Sequence, residues 1–174
     1  MSTRGLFICG SICSMHDDYT AIIPAPFAAL GIRVADARLT AIDFLPPDTP
    51  ALPARDAASA AVCTRLQAYL QTPDTPLDLP IQLAGTAFQQ RVWRAMQAIP
   101  PGRTLTYGAL AQQLDSGARA VANACGANPI PLVIPCHRVV ASNGLGGFMG
   151  GREQHALAIK HWLLAHERCQ SDAA

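Results

Sequence analysis

The sequence predicts an α+β protein: a small α/β domain over residues 19–84, then a mostly helical helix-turn-helix domain over residues 85–170. Three observations carry that prediction. Short β-prone runs divided by turn residues fill the stretch up to residue 45. Apolar residues at helical spacing dominate from residue 86 onward. Within that stretch, Asp115-Ser116-Gly117 makes a tight turn between two short helical patterns, the layout of a helix-turn-helix. Residues 1–18 and 171–174 read as tails.

The elements follow in order. Residues 19–23, 27–34 and 39–45 are strands of an antiparallel meander, separated by Pro24-Ala25-Pro26 and Asp36-Ala37-Arg38. Pro46, Pro47 and Pro50 mark a loop. Residues 56–70 are Ala-rich, with Val62, Leu66, Tyr69 and Leu70 at helical spacing. Leu77, Leu79, Ile81 and Leu83 alternate strictly and predict an edge strand, the position that tolerates Pro80. Thr86 and Gln89 form a capping box that opens a helix with the stripe Phe88, Val92, Trp93, Met96 and Ile99. Pro100-Pro101-Gly102 stops it. Thr106 caps a second helix with Leu110, Ala111 and Leu114 inside.

Residues 118–127 form a third helix in which Ala118, Ala120, Ala122, Ala124 and Gly126 surround Arg119. So bald a helix suits either tight core packing or close approach to a duplex. Asn128-Pro129 ends it. Ser142-Asn143-Gly144 is a turn, and residues 146–151 form a flexible Gly-rich loop. Residues 153–168 form a last amphipathic helix with Ile159, Trp162, Leu163 and His166 on one side.

Half of the 174 residues are apolar, enough for a core and against wholesale disorder. No apolar run approaches the roughly 20 residues a membrane span needs. The first residues lack the apolar stretch of a secretory signal, so a cytoplasmic location is expected. Met15 is a candidate start, because strand pattern begins only at Tyr19. The cysteines at 9, 13, 63, 125, 136 and 169 are irregularly spaced, which argues for reduced thiols over a disulfide framework. Cys9, Cys13 and His16 resemble part of a metal site but lack a fourth ligand, and no metal is expected. Net charge is +1, yet residues 1–84 carry −3 and residues 85–174 carry +4. A polyanion would therefore meet the second half.

The chemistry concentrates in Ile134-Pro135-Cys136-His137-Arg138-Val139-Val140. Pro135 fixes the backbone where an apolar run ends. The thiol there is positioned, and His137 offers a route for its proton. In an extended segment adjacent side chains face opposite sides, which favours a water-bridged path over direct contact.

The stretch from Phe88 to Glu167 resembles the O6-alkylguanine-DNA alkyltransferases, also called methylated-DNA–protein-cysteine methyltransferases. The likeness rests on Phe88-Gln89, Val92-Trp93, Gly102-Arg103-Thr104, Thr106-Tyr107-Gly108, Arg119-Ala120-Val121 and Asn128-Pro129. It continues through Ile134 to Val139, Gly146-Gly147-Phe148, and Lys160-x-Trp162-Leu163-Leu164-x-x-Glu167. The resemblance implies a ribonuclease-H-like first domain and a winged-helix-like second one. It implies irreversible, single-turnover transfer of an alkyl group from O6-alkylguanine in DNA, and possible action on O4-alkylthymine, with no cofactor. The partner would be double-stranded DNA entered through the minor groove by a monomer.

Residue by residue, the resemblance makes Cys136 the acceptor, His137 the base acting through a water, and Glu167 the carboxylate that holds the imidazole. Tyr107 donates to the guanine ring. Arg119 takes the place of the flipped base, on a surface with Ala118, Ala120, Ala122 and Arg138. Asn128, Val139, Phe148, Met149 and Gly150 line the pocket, where backbone N–H groups of the Gly-rich loop could bind guanine O6. Three departures stand out. The turn from Gln112 to Ala118 is about two residues short, Met149 replaces a small residue, and the link from Gly151 to Lys160 is about five residues long. Against this family stand a lesion-binding relative that only flags damage, a thiol hydrolase, and a plain DNA-binding regulator.

Overall fold

A computed structural model describes residues 18–151 and 154–168. Strands β1 (Ala21–Ala25), β2 (Ala28–Ala35) and β3 (Arg38–Leu45) form the expected antiparallel meander in the order β1-β2-β3. Tight turns force it, since Asp36 and Ala37 both take left-handed backbone angles between β2 and β3. Helix α1 (Ala57–Gln71) begins at Asp56, whose carboxylate accepts from the Ser59 N–H at 2.7 Å. A cap of this kind contributes about 1 kcal/mol. The buried side of α1, Val62, Cys63, Leu66 and Tyr69, lies on the sheet.

Residues 77–83 are not a strand. Their side chains do alternate between half-buried and exposed, but Leu39 and Ile81 make only an isolated parallel bridge. Pro76 and Pro80 have no N–H to give a ladder, so the hydrophobic alternation survives without the pairing.

Helix α2 (Ala87–Gln97) carries the predicted capping box between Thr86 and Gln89. Helix α3 (Tyr107–Gln113) is capped by the Thr106 hydroxyl, which accepts from the Ala109 N–H at 3.0 Å. Helix α4 is Ala118–Gly126. The short turn between α3 and α4 is held by Arg91, which donates to the Leu114 carbonyl at 2.6 Å, and by a 2.9 Å bond from the Ser116 N–H to the Ala111 carbonyl. The small residues of α4 fall on two different faces, one packed and one exposed. Val121, Ala124 and Cys125 are buried against α2, where the Trp93 indole N–H donates to the Ala124 carbonyl at 2.8 Å. Ala118, Arg119, Ala120 and Asn123 are exposed.

Two short strands, β4 (Leu105–Thr106) and β5 (Val139–Val140), pair in parallel. Helix α5 (Gln154–Arg168) closes the chain with Ile159, Lys160, Leu163, Leu164 and Glu167 buried. One apolar core runs through both halves, from Ala21 to Leu163. The halves are also tied by backbone, with the Ile42 N–H donating to the Pro129 carbonyl at 3.0 Å. Among the described residues no helix is long and apolar enough to cross a membrane. Cys9, Cys13, Met15 and His16 lie outside the described residues.

Candidate active site

A cleft of about 700 Å³ opens between α4, the segment carrying Cys136 and the loop from Ala141 to Gly151. Tyr107, Arg119, Cys125, Cys136, Phe148 and Met149 line it. Gly150, expected in the pocket, also lines it, as do Ala118 and Ala122 of the expected DNA-binding surface, whereas Ala120 does not. One wall depends on glycine. A Cβ on Gly126 would stand 3.0 Å from the Gly150 Cα, so only a bare helix lets the loop come this close.

Cys136 is not at the end of an extended strand. Cys136–Arg138 is a 3-10 turn entered from Pro135, and its N–H groups bond back within the turn. The alternation argument for opposite side-chain directions therefore does not apply. The 3-10 turn separates the side chains instead, by its 120° step per residue. Cys136 faces the cleft, while His137 faces the interior and is fully buried.

Asn128 supports this turn. Its amide donates to the Ile134 carbonyl at 2.8 Å and accepts from the Ile130 N–H at 3.0 Å. It thus braces the segment leading to Cys136 and is not part of the cleft wall. Val139, also expected in the pocket, is buried behind it.

Behind the thiol, Glu167 collects five donors. His137 Nε2 lies 2.9 Å from Oε1, Arg138 reaches both oxygens at 2.7–3.2 Å, the Tyr69 hydroxyl donates to Oε1 at 2.8 Å, and the Gly102 N–H to Oε2 at 3.3 Å. Burial alone would raise this carboxyl. The donors from His137 and Arg138 outweigh burial and hold it well below the usual carboxylate range. Burial lowers the His137 imidazole from its ordinary value, with Glu167 pulling the other way. Because the carboxylate can only accept, Nε2 carries the proton and Nδ1 is the free acceptor. His137 Nδ1 is buried and has no hydrogen-bond partner among the described residues.

Arg138 was expected on the DNA surface. It is instead turned inward: only 8 % exposed, with its guanidinium on Glu167 and on the Ile99 carbonyl. A buried carboxylate needs a planar, permanent cation beside it, and an arginine two residues after Cys136 supplies one. All three of its guanidinium nitrogens bond to the interior, not to a surface ligand.

The thiol itself is pushed up to about 11, chiefly by burial, with Asn128 and the charge of Lys160 opposing. Cys136 lies 3.8 Å from the Met149 sulfur. The Gly-rich loop is not open. Phe148 and Gly151 exchange two 2.9 Å backbone bonds, and Met149 and Gly150 take the left-handed angles of a tight two-residue hairpin. The N–H groups of Phe148 and Gly151 are thereby used up. Tyr107 reaches over this loop, donating to the Gly147 carbonyl at 3.2 Å.

Sequence reasoning missed two members of the site. Lys160 is fully buried and donates to the carbonyls of Val139, Leu145 and Gly147 at 2.6–2.8 Å, which pins the loop to α5. A lone lysine among apolar helix residues was a visible signal, since burying one requires partners. Tyr69 lies 98 positions from Glu167, and only its place on an apolar stripe was readable.

A buried thiol facing a cleft, with a histidine–glutamate pair behind it and an exposed helix beside it, is the site of a cysteine-dependent protein. The comparisons with known proteins make that class specific. Residues 87–169 match the family profile described as "6-O-methylguanine DNA methyltransferase, DNA binding domain". The chain is 44 % identical over 120 residues to the methylated-DNA–protein-cysteine methyltransferase of Mycolicibacterium paratuberculosis, covering 67 % of this chain and 70 % of that one. It is 44 % identical over 104 residues to the bifunctional transcriptional activator/DNA repair enzyme Ada of Escherichia coli, covering 58 % of this chain but only 29 % of Ada. The crystal structure of Mycobacterium tuberculosis O6-methylguanine methyltransferase superposes with a TM-score of 0.71 at 31 % identity, over 85 % of this chain and 91 % of that one. Mycobacterium tuberculosis OGT in complex with DNA gives a TM-score of 0.71 at 34 % identity, over 86 % and 92 %. The chain belongs to the methylated-DNA–protein-cysteine methyltransferase family.

Proposed function

We propose that this protein repairs alkylated DNA by moving the alkyl group from O6-alkylguanine in a duplex onto Cys136, once per molecule. The observation that carries the reading is the position of Cys136, on a cleft wall with the buried His137–Glu167 pair directly behind it. A thiol raised to about 11 is almost wholly protonated at neutral pH. Transfer therefore needs its proton removed as the bond forms. His137 Nδ1 takes it through a bridging water, and Glu167 stabilises the imidazolium, the logic of a hydrolase triad without turnover.

The sulfur then displaces the base at the alkyl carbon. An S–C bond forms, the C–O6 bond breaks, and the guanine anion takes a proton from Tyr107, which regains one from solvent. The reaction needs no cofactor. The target must leave the stack to reach the thiol. Helix α4 approaches through the minor groove with its bare face, Ala118, Ala120 and Ala122, and Arg119 fills the gap left by the base. Phe148, Met149 and Gly150 enclose the alkyl group. The protein acts as a monomer in the cytoplasm.

The test mixes the protein with a duplex carrying O6-methylguanine and records intact mass. The expected result is a single step of about 14 Da, the mass of one CH₂, in wild type and none in Cys136→Ala. DNA binding without any mass change would instead make this a lesion sensor, and repeated turnover on an ester would make it a hydrolase.

A further inference from the structure

Tyr69 belongs to α1, in the half of the chain that carries no residue of the proposed relay. Its hydroxyl nevertheless donates to Glu167 Oε1 at 2.8 Å, the same oxygen that accepts from His137 at 2.9 Å. The phenol is buried, at 1 % exposure, and is held from two sides. His166, one residue before Glu167 on α5, stands edge-on to the Tyr69 ring at 5.6 Å and bonds to the Tyr69 backbone carbonyl through Nε2 at 2.9 Å. Trp162 stacks on His166 at 4.6 Å. Helix α1 thus grips two consecutive residues of α5, the second of which is the carboxylate.

Packing alone does not account for a hydroxyl here. A phenylalanine would fill the same space, and Glu167 already has four other donors. What the hydroxyl adds is a neutral donor on the oxygen that faces the imidazole. It also remains a donor at any working pH, because burial and the charge of Glu167 both raise its own titration. Each donor on Oε1 makes that oxygen less basic, and so weakens its hold on a protonated His137.

We propose that Tyr69 is a positioning residue through which the N-terminal half sets both the place of Glu167 and the proton affinity of the His137 base. This rests on the repair reading for its role in transfer, though not for its effect on His137. The groups around the imidazole are few. The turn supplies Cys136 and Arg138, α5 supplies Glu167, Lys160 and, through Tyr69, His166, and α1 supplies Tyr69. Asp74 sits beyond Tyr69, on a small cavity that Tyr69 shares with Arg138. Arg138 and Lys160 disfavour the imidazolium and Glu167 favours it, so the hydroxyl acts on the single favourable partner.

The test is the pH profile of single-turnover methyl transfer in Tyr69→Phe, which keeps the ring and deletes the donor. Wild type should lose activity on the acid side as His137 takes a proton. In Tyr69→Phe the carboxylate is more basic, His137 protonates at higher pH, and the acid midpoint should move up by about one unit, a roughly tenfold slower rate below it. DNA affinity should not change. Replacing Tyr69 by 3-fluorotyrosine, a stronger donor of nearly the same size, should move the midpoint down, and it covers the case in which Tyr69→Phe does not fold. A midpoint unmoved in both variants overturns the proposal, as does a uniform loss of rate that merely tracks a lower Tm. The His137 imidazole titration followed by NMR reads the same shift without any transfer. If wild type transfers no methyl group while that titration still moves, the repair reading fails and the role of Tyr69 on His137 stands.

Discussion

Lys160→Met is the sharpest probe of how the cleft is held. Methionine keeps the unbranched stem and removes every donor. In the native protein the Lys160 ammonium gives its three protons to three carbonyls, Leu145 at 2.6 Å, Val139 at 2.7 Å and Gly147 at 2.8 Å. Burial pulls this group down to about 8, with the nearby Cys136 and Cys125 thiols opposing, so it is still an ammonium at neutral pH. Without it, the Leu145 and Gly147 carbonyls lie in half-exposed residues and can turn to water, whereas Val139 is fully buried.

One stranded buried acceptor costs about 1–3 kcal/mol, and losing two further charged hydrogen bonds raises the total to about 3 kcal/mol after the ammonium's own desolvation is relieved. At 2–4 °C per kcal/mol for a chain of this size, Tm should fall by about 6–12 °C. Thermal unfolding followed by circular dichroism at neutral pH measures it. Hydrogen exchange should show lost protection confined to the loop from Val139 to Gly151. A Tm within about 2 °C of wild type, which corresponds to less than 1 kcal/mol, would refute the pinning argument.

Three further outcomes are expected. Met149→Ser should raise the transfer rate for a bulky adduct such as O6-benzylguanine more than for a methyl adduct, by about tenfold, since the thioether now occupies space 3.8 Å from the acceptor sulfur; equal rates for both adducts would show that Met149 moves aside freely. Arg119→Ala should slow transfer within duplexes and leave transfer from free O6-benzylguanine within about twofold, because the exposed side chain has no packing role; comparing the two substrates decides it. Stability should fall with acid. His137 and Glu167 are both depressed, so the unfolded chain binds more protons: stability is whole above 6.5, declines as His137 would protonate, and declines again below 4.5 as Glu167 is lost. Urea midpoints across pH should show this, and Glu167→Gln should lose the second decline while keeping the first.

Local chemistry was legible wherever a few adjacent residues decide it. Thr86 with Gln89, Thr106, Asp56 and the Asp115-Ser116-Gly117 turn define helix ends through bonds that span three positions, so the helices were found to within about two residues. The meander was found for the same reason. Residues 77–83 misled because alternation records burial, while a strand also needs a partner with free N–H groups on both sides. Residues 146–151 looked open because glycine reads as freedom, yet Met149 and Gly150 use left-handed angles to close a hairpin.

Adjacent residues were enough to single out Cys136 between Pro135 and His137 and the small side chains of α4. Packing between distant segments set what surrounds them. It turned Arg138 away from the surface and onto Glu167, buried Lys160 under three carbonyls, and brought Tyr69 across 98 positions to the carboxylate. Buried polar groups must be satisfied by whatever donors the packed chain brings near. Which donors those are depends on contacts between distant segments, and no local pattern encodes them.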